Sequence, residues 1–298
     1  MTAKFGTAGN PESFYEAGFK TSIQMPQYLS SLGLSAYEYQ CGKGVNISEK
    51  TASELGKRAL EYKISLSIHS PYYINLANGD EERRKKNISY ILQTLEVAKW
   101  MGATRVVVHA GSLMGMTRQE ALEIAKITLR KTLDIADGEG YGDIAICPET
   151  MGKVNQLGDL NEVIELCKLD ERLIPTIDFG HLNARTLGGL AKTSDFALIF
   201  NQLRQGLGEY RMKHFHSHFS RIEYTRGGEK RHLTFEDNVY GPDFWPVAEL
   251  ICERGASPVI ICESAGTQAI DAVTMKNMLI KAEEKYEKKD IDYSWGQP

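Results

Sequence analysis

The chain has 298 residues, of which 42% are hydrophobic, and a formal charge of −4. This is an ordinary globular composition with material for one sizeable core, and a pI of about 6.0 argues against a protein that coats nucleic acid electrostatically. There is no apolar run of about 18 residues and no signal-like apolar stretch in the first twenty, so neither a membrane span nor an export signal is expected. The five cysteines, at 41, 147, 167, 252 and 262, are scattered and form no CxxC pair. Free thiols of this kind suit a reducing compartment, and a cytoplasmic location is expected.

In chain order, eight short runs read as strands: 4–8, 36–41, 64–69, 105–109, 143–149, 173–178, 211–218 and 258–263. Most are rich in Val and Ile and nearly continuous in apolar character, as strands buried on both faces are. Between them lie helical patterns. Over 81–101, Ile88, Ile91, Leu92, Leu95 and Ala98 share one helical face. The next helix opens on a capping box, Thr117 to Glu120, and continues through Leu122, Ala125, Leu129, Leu133 and Ala136. Weaker helices fit 48–62, 157–168, 193–205, 242–254 and 268–287. Residues 283–298 are strongly charged and read as the end of the last helix plus a tail, leaving 1–282 as the folded unit.

Strand and helix alternate without a Pro-, Gly- or Ser-rich linker. The expected fold is therefore α/β, a single-domain (β/α)8 barrel, with a doubly wound sheet as the alternative. In a barrel every strand ends at the same mouth, so residues far apart in sequence converge there.

The strand ends carry the chemistry. Glu149, Asp178 and Glu263 end strands or follow them, and all seven histidines, His69, His109, His181, His214, His216, His218 and His232, are expected at or near the mouth. Any one of them is most simply a hydrogen-bonded core or rim residue. Together they would carry a severe desolvation and like-charge cost unless cations sat among them. Imidazole with carboxylate suits Zn2+, with Mn2+ or Fe2+ as alternatives. The donors are too many for one tetrahedral ion, so two or three ions sharing a bridging carboxylate are expected, an arrangement that clamps the attacking and leaving oxygens of a phosphoryl displacement. Along 214–218, alternate residues share a face but lie about 6.6 Å apart, so they do not all bind one ion. His218 is the preferred ligand, His216 the second choice, and His214 an interior residue.

These residues fall in motifs that resemble a known family: Ile68-His69-Ser70-Pro71-Tyr72, Val108-His109-Ala110-Gly111, Pro148-Glu149-Thr150, Ile177-Asp178-Phe179-Gly180-His181, His218-Phe219-Ser220, Lys230-Arg231-His232 and Cys262-Glu263-Ser264. In this order they are similar to the endonuclease IV family of apurinic/apyrimidinic endonucleases, within the xylose-isomerase-like barrel superfamily. The resemblance implies three zinc ions. His69, His109 and Glu149 would hold the first; Glu149, Asp178, His218 and Glu263 the second; His181 and His232 the third. The family carries an aspartate where this chain has Lys230, and Glu229, one residue earlier, is the expected replacement. The resemblance further implies damaged double-stranded DNA as the partner, cleavage 5′ to an abasic site, catalytic parts for Glu149 and Glu263, and Tyr72 as a side chain inserted into the duplex. No protein partner is indicated, and a monomer is expected. The alternatives are a sugar isomerase or epimerase of the same superfamily, using one ion on Glu149, Asp178, His218 and Glu263, and a barrel that binds damaged DNA without cutting it.

Overall fold

In the computed structural model, which describes residues 2–295 and side chains as far as 287, the eight expected strand regions close into one parallel barrel. Its strands are β1 (Lys4–Ala8), β2 (Ala36–Gln40), β3 (Ser65–His69), β4 (Arg105–His109), β5 (Ala145–Glu149), β6 (Thr176–Asp178), β7 (His216–Phe219) and β10 (Val259–Cys262), in the closed order β1-β10-β7-β6-β5-β4-β3-β2. An antiparallel pair, β8 (Arg221–Thr225) and β9 (Gly228–Leu233), leaves the barrel after β7 as a separate hairpin. The wall strands are short because each needs only two or three inward side chains before the chain turns back over the outside.

The helices start where their capping chemistry puts them. Ser48 caps α3 (Glu49–Glu61), and Asp80 accepts from two backbone amides at the start of α4 (Glu81–Met101), which ends at the left-handed Gly102. The capping box from Thr117 to Glu120 opens α5 (Arg118–Gly138), and Asp159 forms another at α6 (Leu160–Cys167). Their apolar faces join the outer faces of the strands in one large core that includes Phe14, Leu55, Ile91, Leu129, Phe200 and Phe215. Short helices at Glu12–Glu16 (α1) and Met25–Ser31 (α2), neither marked by a strong pattern, fill the connection from β1 to β2.

Inside the barrel the side chains alternate by twos. On β4 and β5, Val107 and Cys147 face inward and form a small apolar cluster with Ile174. One step further up are His109 and Glu149, which pair across the sheet. The same step separates Glu38 from Gln40, Ser67 from His69, Thr176 from Asp178 and His216 from His218, with the registers Gln40 to His69 and Asp178 to His218 aligning the upper members. The upper level of the interior is polar.

Two expectations are corrected. Residues 211–214 are not strand: α8 (Thr193–Lys213) runs through them, broken at Gly208, which adopts a left-handed φ of 84°. Glycines at 206 and 208 resemble a helix end, but the chain resumes helical geometry after the kink, and the amide of His214 closes the last turn on the Tyr210 carbonyl. His214 therefore lies at the N-terminal end of β7, away from the mouth. Its ring packs 4.7 Å from that of Tyr210, and its carbonyl accepts from Arg105. His181, expected in an open strand-end segment, lies in a helix, α7 (Phe179–Arg185), which begins directly after β6. After α9 (Trp245–Arg254), α10 (Gln268–Trp295) extends past residue 283, so most of the charged end is helix; the tail expected at 296–298 lies outside the described residues.

Closure of the barrel depends on close approach at one glycine. A Cβ on Gly6 would sit 1.9 Å from the carbonyl oxygen of Ala36 on β2. Gly6→Ala is expected to force β1 and β2 apart and cost about 1–3 kcal/mol, read as a lower urea midpoint; an unchanged midpoint would contradict this packing.

Candidate metal centre

Glu149 ends β5 with its carboxylate almost wholly buried, at 1% exposure. Its Oε2 lies 3.2 Å from Nε2 of both His69 and His109, and its Oε1 lies 2.9 Å from Nδ1 of His218 and 3.6 Å from Nδ1 of His181. One carboxylate thus touches imidazoles from β3, β4, β7 and α7. Asp178 and Glu263 close the far side, and Nδ1 of His218 is 3.6 Å from Glu263. Donor atoms of Glu149, Asp178, His218 and Glu263 lie within 4.8 Å of one another, as do those of His69, Glu149 and His218.

The orientation of each ring is fixed from behind. Nδ1 of His69 donates to the Ser70 carbonyl at 2.8 Å, Nδ1 of His109 to the Tyr72 carbonyl at 2.9 Å, and Nδ1 of His181 to the Thr150 carbonyl at 2.9 Å. Nδ1 of His232 is 2.8 Å from the Ser220 hydroxyl. Carbonyls only accept, so the first three contacts put the proton on Nδ1 of His69, His109 and His181 and leave Nε2 facing the cluster, as anchored metal-binding histidines do.

A third grouping, His181, Glu229 and His232, depends on an irregularity in the hairpin. On β9, Arg231 pairs with Glu223 but Glu229 pairs with Tyr224, so Lys230 is an extra residue, a β-bulge. Strict alternation would place Lys230 on the same face as His232. The bulge turns it outward, where its Nζ meets Glu223 and its side chain is 54% exposed, and turns Glu229 inward. Glu229 Oε2 lies 3.5 Å from Nε2 of His181, and its Oε1 lies 3.9 Å from Nε2 of His232. Two glycines permit this approach. A Cβ on Gly152 would meet Glu229 Cβ at 2.6 Å and His181 Cδ2 at 2.9 Å, and one on Gly228 would meet the Gly152 carbonyl oxygen at 2.2 Å. Arg185 and Arg118 hold the same loop by donating to its carbonyls at 151, 153, 154 and 156.

The charges are strongly coupled. Burial pushes the Glu149 carboxyl up, but the His218 charge and hydrogen bonds from His109, His218 and His69 outweigh it and hold the group well below the usual range. Burial lowers His69 and His181, yet hydrogen bonding to Glu149 in the first case, and the charges of Asp178, Glu229 and Glu149 in the second, raise both to about 9. Asp178 is raised, mainly by burial and then by Glu263 and Glu149, and its Oδ2 is buried without a hydrogen-bond partner. An orphaned carboxylate oxygen among further carboxylates and inward-facing imidazole nitrogens is a donor set that fits divalent cations.

The structure thus gathers His69, His109, Glu149, Asp178, His181, His218, Glu229, His232 and Glu263 around one mouth, beside a cavity of about 330 Å³. Tyr72 stands on its rim, 55% exposed. His216 does not face this cavity: it is fully buried one step lower, its Nε2 2.9 Å from Glu38 Oε2. Glu38 was not singled out in the sequence, although an acid alternating with Gln40 inside the apolar 36–41 run was the available signal.

Residues 26–289 match the protein family described as xylose isomerase-like TIM barrel. An uncharacterized protein of Methanocaldococcus jannaschii is 33% identical over 87% of this chain and 91% of its own length. A probable endonuclease 4 of Listeria monocytogenes is 27% identical over 72% of this chain and 73% of its own. Among solved structures, a D-tagatose 3-epimerase-like protein superposes with a TM-score of 0.71 at 25% identity, covering 96% of this chain and 99% of that one.

With no metal bound, His69 and His181 keep their protons to about pH 9, whereas an unfolded chain releases them near 6.5. The stability they contribute is complete below 6.5 and is lost as pH rises through about 9. Glu149 and Glu263, both lowered, stay ionised throughout that window. Chelator-treated protein is expected to show a falling unfolding midpoint between pH 6.5 and 9 in urea titrations; a flat or rising midpoint would contradict this charge arrangement.

Proposed function

The chain belongs to the xylose isomerase-like TIM barrel family, and we propose that it is a metal-dependent phosphodiester hydrolase of the endonuclease IV type, cutting DNA 5′ to abasic sites. The observation that carries this reading is the Glu149 carboxylate, shared between His69 and His109 on one oxygen and His218 on the other. Chemistry with a single ion would need only Glu149, Asp178, His218 and Glu263. His69, His109, His181, Glu229 and His232 then have no part, and they are the residues that extend the donor set toward about two to three ions.

On this reading His69, His109 and Glu149 would hold one metal; Glu149, Asp178, His218 and Glu263 a second; and His181, Glu229 and His232 a third, with Glu229 in the place of the absent aspartate. Zinc suits the mixture of imidazole and carboxylate, with manganese or iron as alternatives. Such ions supply Lewis acidity and lower the pKa of bound water. Glu149 would be shared between the two inner positions. Glu263, with its side chain 16% exposed, is the carboxylate of that group nearest solvent and the one placed to exchange a proton with substrate. Lys153 lines the cavity, where its cation can meet a phosphate. Tyr72 is the rim residue placed to stack in a gap left by a missing base.

The second reading is a single-ion ketose epimerase. It is favoured by the compact group of Glu149, Asp178, His218 and Glu263 and by the likeness to the epimerase-like protein.

Elemental analysis of metal-loaded protein, with a duplex carrying one abasic analogue, separates the readings. Two to three ions per chain, on the order expected for a multinuclear site, and a nick on the 5′ side are the expected result. One ion, an intact duplex and proton exchange at a ketose carbon would sink the hydrolase in favour of the epimerase. Binding without nicking in zinc and in manganese would leave only a damage-recognition protein. Glu229→Ala and Gly152→Ala are each expected to lower the metal content by about one ion while leaving the chain folded; an undiminished count in both would remove Glu229 from the ligand set.

A further inference from the structure

Four of the five mouth histidines are held from behind by neutral groups, the carbonyls of Ser70, Tyr72 and Thr150 and the hydroxyl of Ser220. His218 differs twice. Its ring is reversed, with Nδ1 toward Glu149 and Glu263, and behind its Nε2 lies a carboxylate oxygen, Glu38 Oε1, at 2.9 Å. That contact is close without being aligned as a hydrogen bond.

We propose that Glu38 is the positioning residue of the metal centre, a buried anion that holds His218 with Nδ1 aimed at the metals, and that His216 is not a ligand but part of the cradle for Glu38. The inference rests on the metal-centre reading of Glu149, Asp178, His218 and Glu263.

Glu38 is wholly buried in β2, and an unpaired carboxylate there would be very costly. It is not unpaired. Oε1 accepts from Gln40 Nε2 at 3.1 Å and faces His218; Oε2 accepts from the Ser67 hydroxyl and from His216 Nε2, both at 2.9 Å. Each oxygen thus has two partners, and three of the four come from side chains that have no place at the mouth or only its edge. His216 explains itself by this arrangement: its Nε2 is taken by Glu38, and its ring stacks edge-on to that of His218 at 5.4 Å. A separate cation among Glu38, His216 and His218 is disfavoured, because both oxygens of Glu38 already accept from neutral donors, Gln40 on Oε1 and Ser67 on Oε2. A carboxylate on the outer nitrogen of a metal-binding imidazole fixes its tautomer and raises the basicity of the inner nitrogen, an effect the four neutral anchors supply more weakly.

The test is zinc affinity of the full chain by chelator competition, with cobalt(II) absorption as a report on ligand geometry and urea melts of the metal-free protein as a control. Glu38→Gln keeps the shape and removes the charge. It is expected to weaken zinc binding by about 10–100-fold and to shift the cobalt spectrum, and Glu38→Asp is expected to recover part of the affinity. If Glu38→Gln does not fold, Ser67→Ala decides, because it removes one donor from Oε2 and leaves the fold; a loss of about two- to tenfold is expected. A wild-type chain that takes up no metal overturns both this proposal and the reading beneath it. A wild-type chain that loads normally, with Glu38→Gln or, failing that, Ser67→Ala binding zinc as tightly and giving an unshifted cobalt spectrum, overturns the role of Glu38 alone.

Discussion

The structure turns on the burial of one carboxylate. Glu149 sits at 1% exposure with imidazoles against both of its oxygens, and the four rings come from four different elements of the barrel. Removing a charge from water costs several kcal/mol even after relaxation, so the arrangement persists only because complementary groups converge on it. A closed parallel barrel supplies that convergence without requiring its donors to be neighbours in sequence. The long helices and the outer apolar core hold the wall rigid enough for the polar upper level to be assembled.

The interior is layered, and the layers divide the labour. Val107, Cys147 and Ile174 form a dry patch below. At the same step below the mouth, Glu38, Ser67 and His216 form a buried group of hydrogen-bonded polar side chains, and above both stand the donors of the mouth. A polar level is expensive, and the hydrogen bonds of Glu38 to Gln40, Ser67 and His216 offset that cost while His216 Nδ1 stays unpartnered.

Two features extend the mouth beyond its inner group of Glu149, Asp178, His218 and Glu263. Carboxylates and imidazoles continue outward from the inner group to the hairpin, where a bulge exchanges a cation for Glu229. Lys230, displaced by the bulge, and Arg231 lie on the outer face against Glu223.

The sequence by itself determined the barrel, because eight buried runs alternating with amphipathic or capped segments leave few ways to bury all of them. It also determined which strand ends bear donors, since His69, His109, Glu149, Asp178 and Glu263 each follow an apolar run. Glu229 could be named as a replacement ligand but not explained, because a one-residue bulge depends on pairing between strands that local pattern does not encode. Helix through 211–213 was obscured by Gly206 and Gly208, whose helix-ending character was undone by chain that packs again beyond the kink. Position along the strand already ranks His218 ahead of His216. What each one meets is decided only by the closed interior, which puts His218 beside Glu149 and His216 against Glu38 across the barrel, because the partner on the opposite wall exists only once the sheet has closed.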